Sequence, residues 1–474
     1  MMATMGPARS PRYEAAVRSA RESYAALPPD APVRLAKKTS NLFRPRSDTG
    51  SPGLDLSALQ GVFAVDAEAG LARVGGLTTY ERLVDELLPQ GFMPLVVPQL
   101  RTITIGGAVI GLGIEATSFR SGLPHESVLE MDVLTPTGEV VTATPDGEHA
   151  ELFRTLPNSY GSLGYVLGLV VELERTSRYV VLEHLRFGSV EEVVSAIGEV
   201  TRTGAHPRAH GGARVDFMDG VVFGPTEAYL TLARWSETVE GATRPSDHTG
   251  AEPFYRSVQH RRRDVLTAAD FLWRWDTDWF WCSRAFGAQR PAVRRVWPRR
   301  LLRSDVYWRI MAFEQRHGWV SAYRRARGRP RQERVIQDVE IPLDRTGDFL
   351  RWFLREIPIE PLWLCPVRLR ATTPGPDGGP PWPLYPMRVG EDYVNVGFWS
   401  AVDIPPGGRL GDTNRAIEEQ VHALGGHKGL YSESFFDEAT FEERYGGAAY
   451  RPVKQRYDPD GRLPTLYDKA VRSR

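Results

Sequence analysis

The stretch TITIGGAVIGLGIEATSFRSG, Thr102 to Gly122, constrains the fold more than any other. Five glycines, Gly106, Gly107, Gly111, Gly113 and Gly122, stand among β-branched residues with one acid, Glu115. Without a Cβ, glycine backbone can approach a ligand closely. Successive N–H groups in a turn make an anion nest suited to phosphate. The spacing GGxxxGxG is neither GxGxxG nor a Walker loop, and no Lys-Ser/Thr pair follows, so neither standard nucleotide fingerprint applies. On spacing alone, a turn packed for its own sake explains the glycines equally well.

A second loop adds weight to the ligand. LAKKTSNLF sets Lys37, Lys38, Thr39, Ser40 and Asn41 directly after an expected strand, APVRLA. Two of only five lysines are adjacent here, in a chain with 54 arginines. Ammonium, hydroxyl and amide groups suit a diphosphate, with a solvated loop as the alternative. The arginine bias reads as a GC-rich, actinobacterial genome rather than as function.

A length of 474 residues calls for two or three domains. The formal net charge is zero, which gives no global pull toward nucleic acid or anionic lipid. Cys282 and Cys365 make neither a disulfide framework nor a metal knuckle, which points to a reducing cytosol and no metal. The N-terminus lacks the apolar core of a signal peptide, and no run approaches the ~18 to 20 apolar residues of a membrane span.

Hydrophobic periodicity predicts a helix over 11–26, with Tyr13, Ala16, Val17, Ala20 and Tyr24 on one face. LARVGGLTTYERLVDELLPQGF reads as strand, turn and helix, with Thr78 or Thr79 as cap and Gly91 as stop. VLEMDVLTPTGEVVTAT reads as a hairpin about Pro136–Thr137–Gly138. ELFRTLPNSYGSLGYVLGLVVELE reads as helix, small-residue turn and apolar strand. Residues 1–176 thus form one α+β domain. The pattern restarts in 177–474 with the strand YVVLEHLRF and the helix VEEVVSAIGEV. Further strands follow in RVIQDVEIPL, PLWLCPVRLRAT and YVNVGFWSAVDIP. Asp338 with Glu340, and Arg368 with Arg370, alternate along strands and read as surface salt bridges.

The stretch 254–330 has an unusual composition. FLWRWDTDWFWCSRAF holds Trp273, Trp275, Trp279 and Trp281. Arg290, Arg294, Arg295, Arg299, Arg300 and Arg303 follow without an acid between Gly287 and Arg303. Aromatic rings beside arginines suit a membrane interface or an anionic amphiphile. An aromatic packing layer with a solvated basic face explains them equally.

Taken in order, AKKTSNLF, the segment from VGGLTTYERL to TSFRSG, VLTPTGEVVTATP and NSYGSLGYV resemble the FAD-binding domain of the vanillyl-alcohol-oxidase and p-cresol-methylhydroxylase type. VIQDVEIP, EPLWLCP, LYSESFFDEATFEERYGG and LPTLYDKA are similar to segments of delta-24 sterol reductases and of bacterial methylene-fatty-acid reductases. The resemblance spans roughly 11–470 and is weakest in 200–330. It implies a two-subdomain FAD-binding domain followed by an α+β cap domain with an antiparallel sheet. It further implies that Lys38, Thr39, Ser40 and Asn41 form the first phosphate loop. Thr104, Ile105, Gly106, Gly107, Gly111, Gly113, Ile114 and Glu115 would wrap the diphosphate and ribityl chain, and Ser159, Gly161, Gly164 and Val166 would lie near the adenosine half. Many members attach FAD through a His. This chain has none in residues 1–124, and His125 does not match the usual position, so non-covalent FAD is expected. Tyr431 and Glu433 match a Tyr and an acid of the sterol reductases, and His427 and Lys428 match a His and a Lys of related oxidases. These four are the expected catalytic candidates. The implied activity is reduction of a lipid C=C bond with NADPH as donor. The substrate is a 10-methylene fatty acyl chain or a sterol side chain, and flavin-dependent oxidation of an alcohol is the competing class. The expected partners are the lipid, a membrane surface met through the 254–330 insertion and a lipid methyltransferase, with no nucleic acid. The expected place is the cytoplasm, peripheral to the inner face of the membrane.

Overall fold

The computed structural model describes residues 6–29, 31–36, 43, 53–239, 244–250 and 252–472. The expected first helix spans Pro11–Ala25, where Ser10 accepts from the N–H of Tyr13 and Tyr13, Ala16 and Ala20 face inward. APVRLA is not a strand. Leu35 makes only an isolated parallel bridge with Leu54.

Two antiparallel sheets follow among the described residues, giving an α+β architecture. The first contains β1 (Val62–Asp66), β2 (Leu71–Gly75), β3 (Phe92–Pro94), β4 (Val128–Leu134), β5 (Val140–Ala143) and β6 (Tyr165–Arg175). Its order is β1-β2-β6-β4-β5, with β3 pairing the end of β6. The helix Tyr80–Leu87 starts at Thr79, which accepts from the N–H of Arg82, and buries Leu83, Val84 and Leu87. β4 and β5 form the expected hairpin, with Leu134 opposite Val140 and Gly138 at φ 90° in the turn.

The second sheet contains β7 (Tyr179–Phe187), β8 (Phe217–Gly224), β9 (Glu227–Ser236), β10 (Arg263–Thr267), β11 (Gln332–Pro342), β12 (Leu362–Arg368), β13 (Asp392–Asp403) and β14 (His427–Lys428). Its order is β10-β7-β9-β8-β12-β13-β11-β14. The helices Val190–Thr203, Leu343–Glu356 and Asp412–Ala423 share a core with one set of alternate residues. That core brings Val193, Phe353 and Ile417 together with Val339, Leu364 and Val396. The other set, including Trp363, Cys365, Tyr393 and Trp399, belongs to the larger core that runs on into the first sheet. With both faces covered, the strands read as near-continuous apolar runs. The C-terminal segment returns to the first sheet. Lys454 donates to the carbonyls of Ser162 and Leu463, and Lys469 to those of Tyr160 and Gly161.

Candidate functional site

A cavity lies between the two sheets. One wall comes from the glycine stretch and its surroundings, the other from β11, β12, β13 and the Tyr431 segment, with Trp279 and Phe280 between them. The glycine stretch is a short helix, Ile105–Ile110, rather than an open turn. Its first N–H groups are taken up within the protein. Ile105 donates to the carbonyl of Thr78, Gly106 to that of Gly76, and Gly107 to the side chain of Thr104. The glycines therefore offer surface rather than free N–H groups. A Cβ on Gly106 would stand 2.6 Å from the Gly76 carbonyl oxygen, so this glycine lets helix and turn touch. A Cβ on Gly107 would meet only Thr104 and otherwise project into the cavity.

Of the residues expected to bind cofactor, Thr104, Gly106, Gly107, Gly111, Gly113, Ile114 and Val166 line the cavity. Ile105 and Glu115 turn into the interior instead. Glu115 receives a hydrogen bond from the fully buried Arg274 at 3.2 Å, and Arg274 reaches Asp219 on β8 at 2.7 Å. Burial, opposed by Arg274, pushes the Glu115 carboxyl up to about 7. Ser159, Gly161 and Gly164 stand back from the cavity, while their neighbours Tyr160 and Tyr165 reach it. Lys38, Thr39, Ser40 and Asn41 lie outside the described residues. His125 is buried with its ring edge-on to Trp382 and is not among the lining residues.

The far wall carries the acid–base chemistry. Glu340 is buried and Asp338 half-buried, which corrects their reading as surface ion pairs. β11 runs between β13 and β14 with both faces covered, so Glu340 is shut off from solvent while Asp338 is half-buried at the cavity wall. Asp338 lines the cavity, accepts from the Asn395 amide at 3.1 Å and lies close to the Tyr431 hydroxyl. Burial pushes its carboxyl up to about 6, against the lowering effect of the Asn395 amide and the nearby Tyr431 hydroxyl. Tyr431 also lines the cavity and accepts from the indole N–H of Trp399 at 3.1 Å. Burial, then the charge of Asp338, raises its phenol well above the ordinary value, so it stays protonated. Gly397 faces Asp338 across the β11–β13 ladder. A Cβ there would stand 2.5 Å from both Asp338 Oδ1 and the Trp399 ring, so glycine makes room for both groups.

The other three catalytic candidates stand elsewhere. Lys428 is buried in an ion pair with Glu418 at 2.6 Å and donates to the carbonyl of Glu433. Glu433 extends toward Arg334 at 4.0 Å. His427 packs beside Tyr385, and burial lowers its ring to about 4, leaving it neutral. None of the three is among the lining residues.

Several lining residues escaped the sequence reading. Phe280 stacks on Trp399 at 4.1 Å, and Trp363 lies beside both. Tyr160, Trp279 and Phe280 have φ of 50°, 47° and 58°, the left-handed region that side chains rarely adopt. Of the five described non-glycine residues in that region, these three line the cavity, and such strain clusters at functional sites. Gln99 is buried against the cavity, and neither atom of its amide has a partner among the described residues. An amide ending the apolar run VVPQ was the available signal.

The four tryptophans of FLWRWDTDWFWCSRAF are all buried. Arg294, expected on a solvated basic face, is buried too and grips Asp278 through two bonds of 2.7 and 2.8 Å. Arg303 pairs with Glu81 at 2.7 Å. The remaining arginines of that run are exposed.

Residues 7–144 match the FAD binding domain family. The chain is 24% identical over 445 residues to the Delta(24)-sterol reductase of Arabidopsis thaliana, an alignment covering 89% of this chain and 77% of that protein. It is 22% identical over 436 residues to the human Delta(24)-sterol reductase, covering 88% and 77%. Over 144 residues it is 30% identical to the decaprenylphosphoryl-beta-D-ribose oxidase of Mycolicibacterium smegmatis, covering 30% of this chain and 31% of that protein. The chain thus carries an FAD-binding domain at its N-terminal end and is similar to FAD-dependent oxidoreductases. The cavity fits the flavin. The ring edge of a flavin presents both donors and acceptors, which is what the Gln99 amide lacks, and Gly107 leaves the bare wall that a flat or phosphorylated group needs.

Proposed function

We propose that this chain is an FAD-dependent reductase that saturates a carbon–carbon double bond in a lipid. Its substrate in this reading is a 10-methylene fatty acyl chain, reduced to the 10-methyl form. NADPH supplies the electrons, and FAD is held without a covalent bond. The observation that carries the reading is the Tyr431–Asp338 pair, a protonated phenol backed by a carboxyl, set in a wall of Trp279, Phe280, Trp363 and Trp399.

An isolated alkene has no carbonyl to stabilise a carbanion, so a proton must arrive before or with the hydride. FAD, when bound and reduced, would supply that hydride. Tyr431 supplies the proton from its hydroxyl, and the Trp399 indole fixes the direction of that hydroxyl. A phenolate beside ionised Asp338 is disfavoured by charge, whereas protonated Asp338 passes its own proton across and restores the donor. The aromatic wall takes the alkyl chain and keeps water from the transfer. In this reading a methyltransferase that installs the one-carbon branch is the reaction that supplies the substrate.

A sterol side chain is the second reading, supported by the names of the relatives. The arginine-rich composition favours a bacterial owner, where sterol synthesis is rare, and hence the acyl chain. Anaerobic titration separates reductase from oxidase. Bleaching of the flavin by NADPH and not by primary alcohols supports the reductase. Bleaching by an alcohol and not by NADPH overturns it.

A further inference from the structure

Residues 287–331 hold thirteen arginines and two acids, in a chain whose net charge is zero. The helices Ser304–His317 and Trp319–Ala326, joined by Gly318 alone, lie inside this run, with most of its arginines in the segments that flank them. The two helices carry most of the large exposed apolar side chains. Phe313 is 50% exposed, Trp319 62%, Val320 56% and Tyr323 57%, with Ile310 exposed beside them. Phe313 and Trp319 meet edge to face at 5.2 Å, so the aromatic residues form a cluster at the turn rather than scattered positions. Exposed Arg295, Arg299, Arg300, Arg309, Arg316, Arg325 and Arg327 belong to the same run.

We propose that this helix pair docks the protein on an anionic bilayer, the aromatic turn entering the headgroup boundary and the arginines meeting acidic lipid. Both components of interfacial binding are present in one stretch of chain: exposed amphipathic rings and an excess of exposed arginines. A second copy of the chain is a poorer occupant, because two such faces would bring their arginine excess together. The placement also suits access to the cavity. Tyr307 of the first helix is buried against Phe286 at 5.6 Å, and the turn that leads to Phe286 contributes Trp279 and Phe280 to the cavity wall. Docking and cavity are thus one aromatic layer apart. None of the described helices is long and apolar enough to cross a membrane. The proposal does not depend on which reaction the cavity performs.

The test is flotation of the FAD-loaded protein with vesicles of phosphatidylcholine alone or mixed with phosphatidylglycerol. Binding should require the acidic lipid and weaken from 0.05 to about 0.5 M salt. The variant Phe313→Ser, Trp319→Ser, Val320→Ser should bind at least about tenfold more weakly, as should Arg295→Gln, Arg299→Gln, Arg300→Gln. Unchanged flavin absorbance and sedimentation would show that both variants are folded. Brominated lipid should quench the wild type and not Trp319→Phe. No flotation of the wild type, or equal flotation of wild type and both variants, would overturn the proposal. So would a wild-type dimer that the apolar variant converts to monomer without any change in vesicle binding.

Discussion

At the scale of single residues, the account rests on Tyr431 and Asp338. Tyr431→Phe keeps the ring and removes the proton. It should retain FAD and its reduction by NADPH, yet lose alkene turnover by roughly 10² to 10⁴-fold in single-turnover experiments. In the proposed mechanism Asp338, pushed up to about 6, would restore the phenol only while it is protonated. Alkene turnover should therefore fall as pH rises through about 6, and Asp338→Asn should flatten that fall while flavin reduction keeps its own profile. Glu340 makes a complementary prediction about stability. Burial first, then the charge of Asp338, raises its carboxyl well above the ordinary value, and neither oxygen has a partner among the described residues. The folded chain holds this proton where the unfolded chain, with a carboxyl near roughly 4.3, has released it. Stability is thus complete below that value and falls as pH rises through the folded one. Glu340→Gln should gain on the wild type between pH 5 and pH 8, as read from urea midpoints. The sequence showed Tyr431 as a candidate but could not show Asp338 in that role. An acid alternating along a strand reads as exposed, and only the covering of both faces of β11 reverses this.

At the scale of elements, the glycine helix and the β11–β13 ladder shape the two walls. Gly107→Val should lose FAD, because the branched side chain enters the cavity, at a modest cost in stability, because its Cβ would stand 2.8 Å from the capping Thr104 hydroxyl. Thermal melting and flavin content of the purified variant separate these effects. Most elements were legible from periodicity and caps. The helix Tyr80–Leu87 begins at Thr79, and β7 covers YVVLEHLRF end to end. The glycine stretch was not legible as a helix, since glycine is a poor helix former in isolation. What makes it one is tertiary: Thr104 caps it, and Gly76 and Thr78 take its first N–H groups. His427, Lys428, Tyr431 and Glu433 are adjacent in sequence but point to different surroundings. β14 is only two residues long, and side chains along extended backbone alternate in direction.

At the scale of the whole molecule, Arg274 ties three parts together: Glu115 from the glycine stretch, Asp219 from the second sheet and the aromatic insertion to which it belongs. Arg274→Met would leave two buried carboxylates without their cation. That should cost about 3–5 kcal/mol of stability, measured by chemical denaturation. Composition gave the aromatic and basic character of 254–330 but not its division. Trp273, Trp275, Trp279, Trp281 and Arg294 went inward because Asp278 and the second sheet receive them, while Phe313, Trp319, Val320 and Tyr323 of the helix pair stayed outside. The central claim is that the cavity between the sheets reduces an alkene. The most direct test is the oxidative half-reaction. The flavin is reduced anaerobically with one equivalent of NADPH, and a 10-methylene fatty acyl lipid is then added. The account predicts return of the oxidised flavin spectrum with one methyl-branched product formed per flavin, and a much slower return in Tyr431→Phe. Flavin that stays reduced with methylene-branched lipid and with a Δ24 sterol alike, yet reoxidises in air, would contradict it.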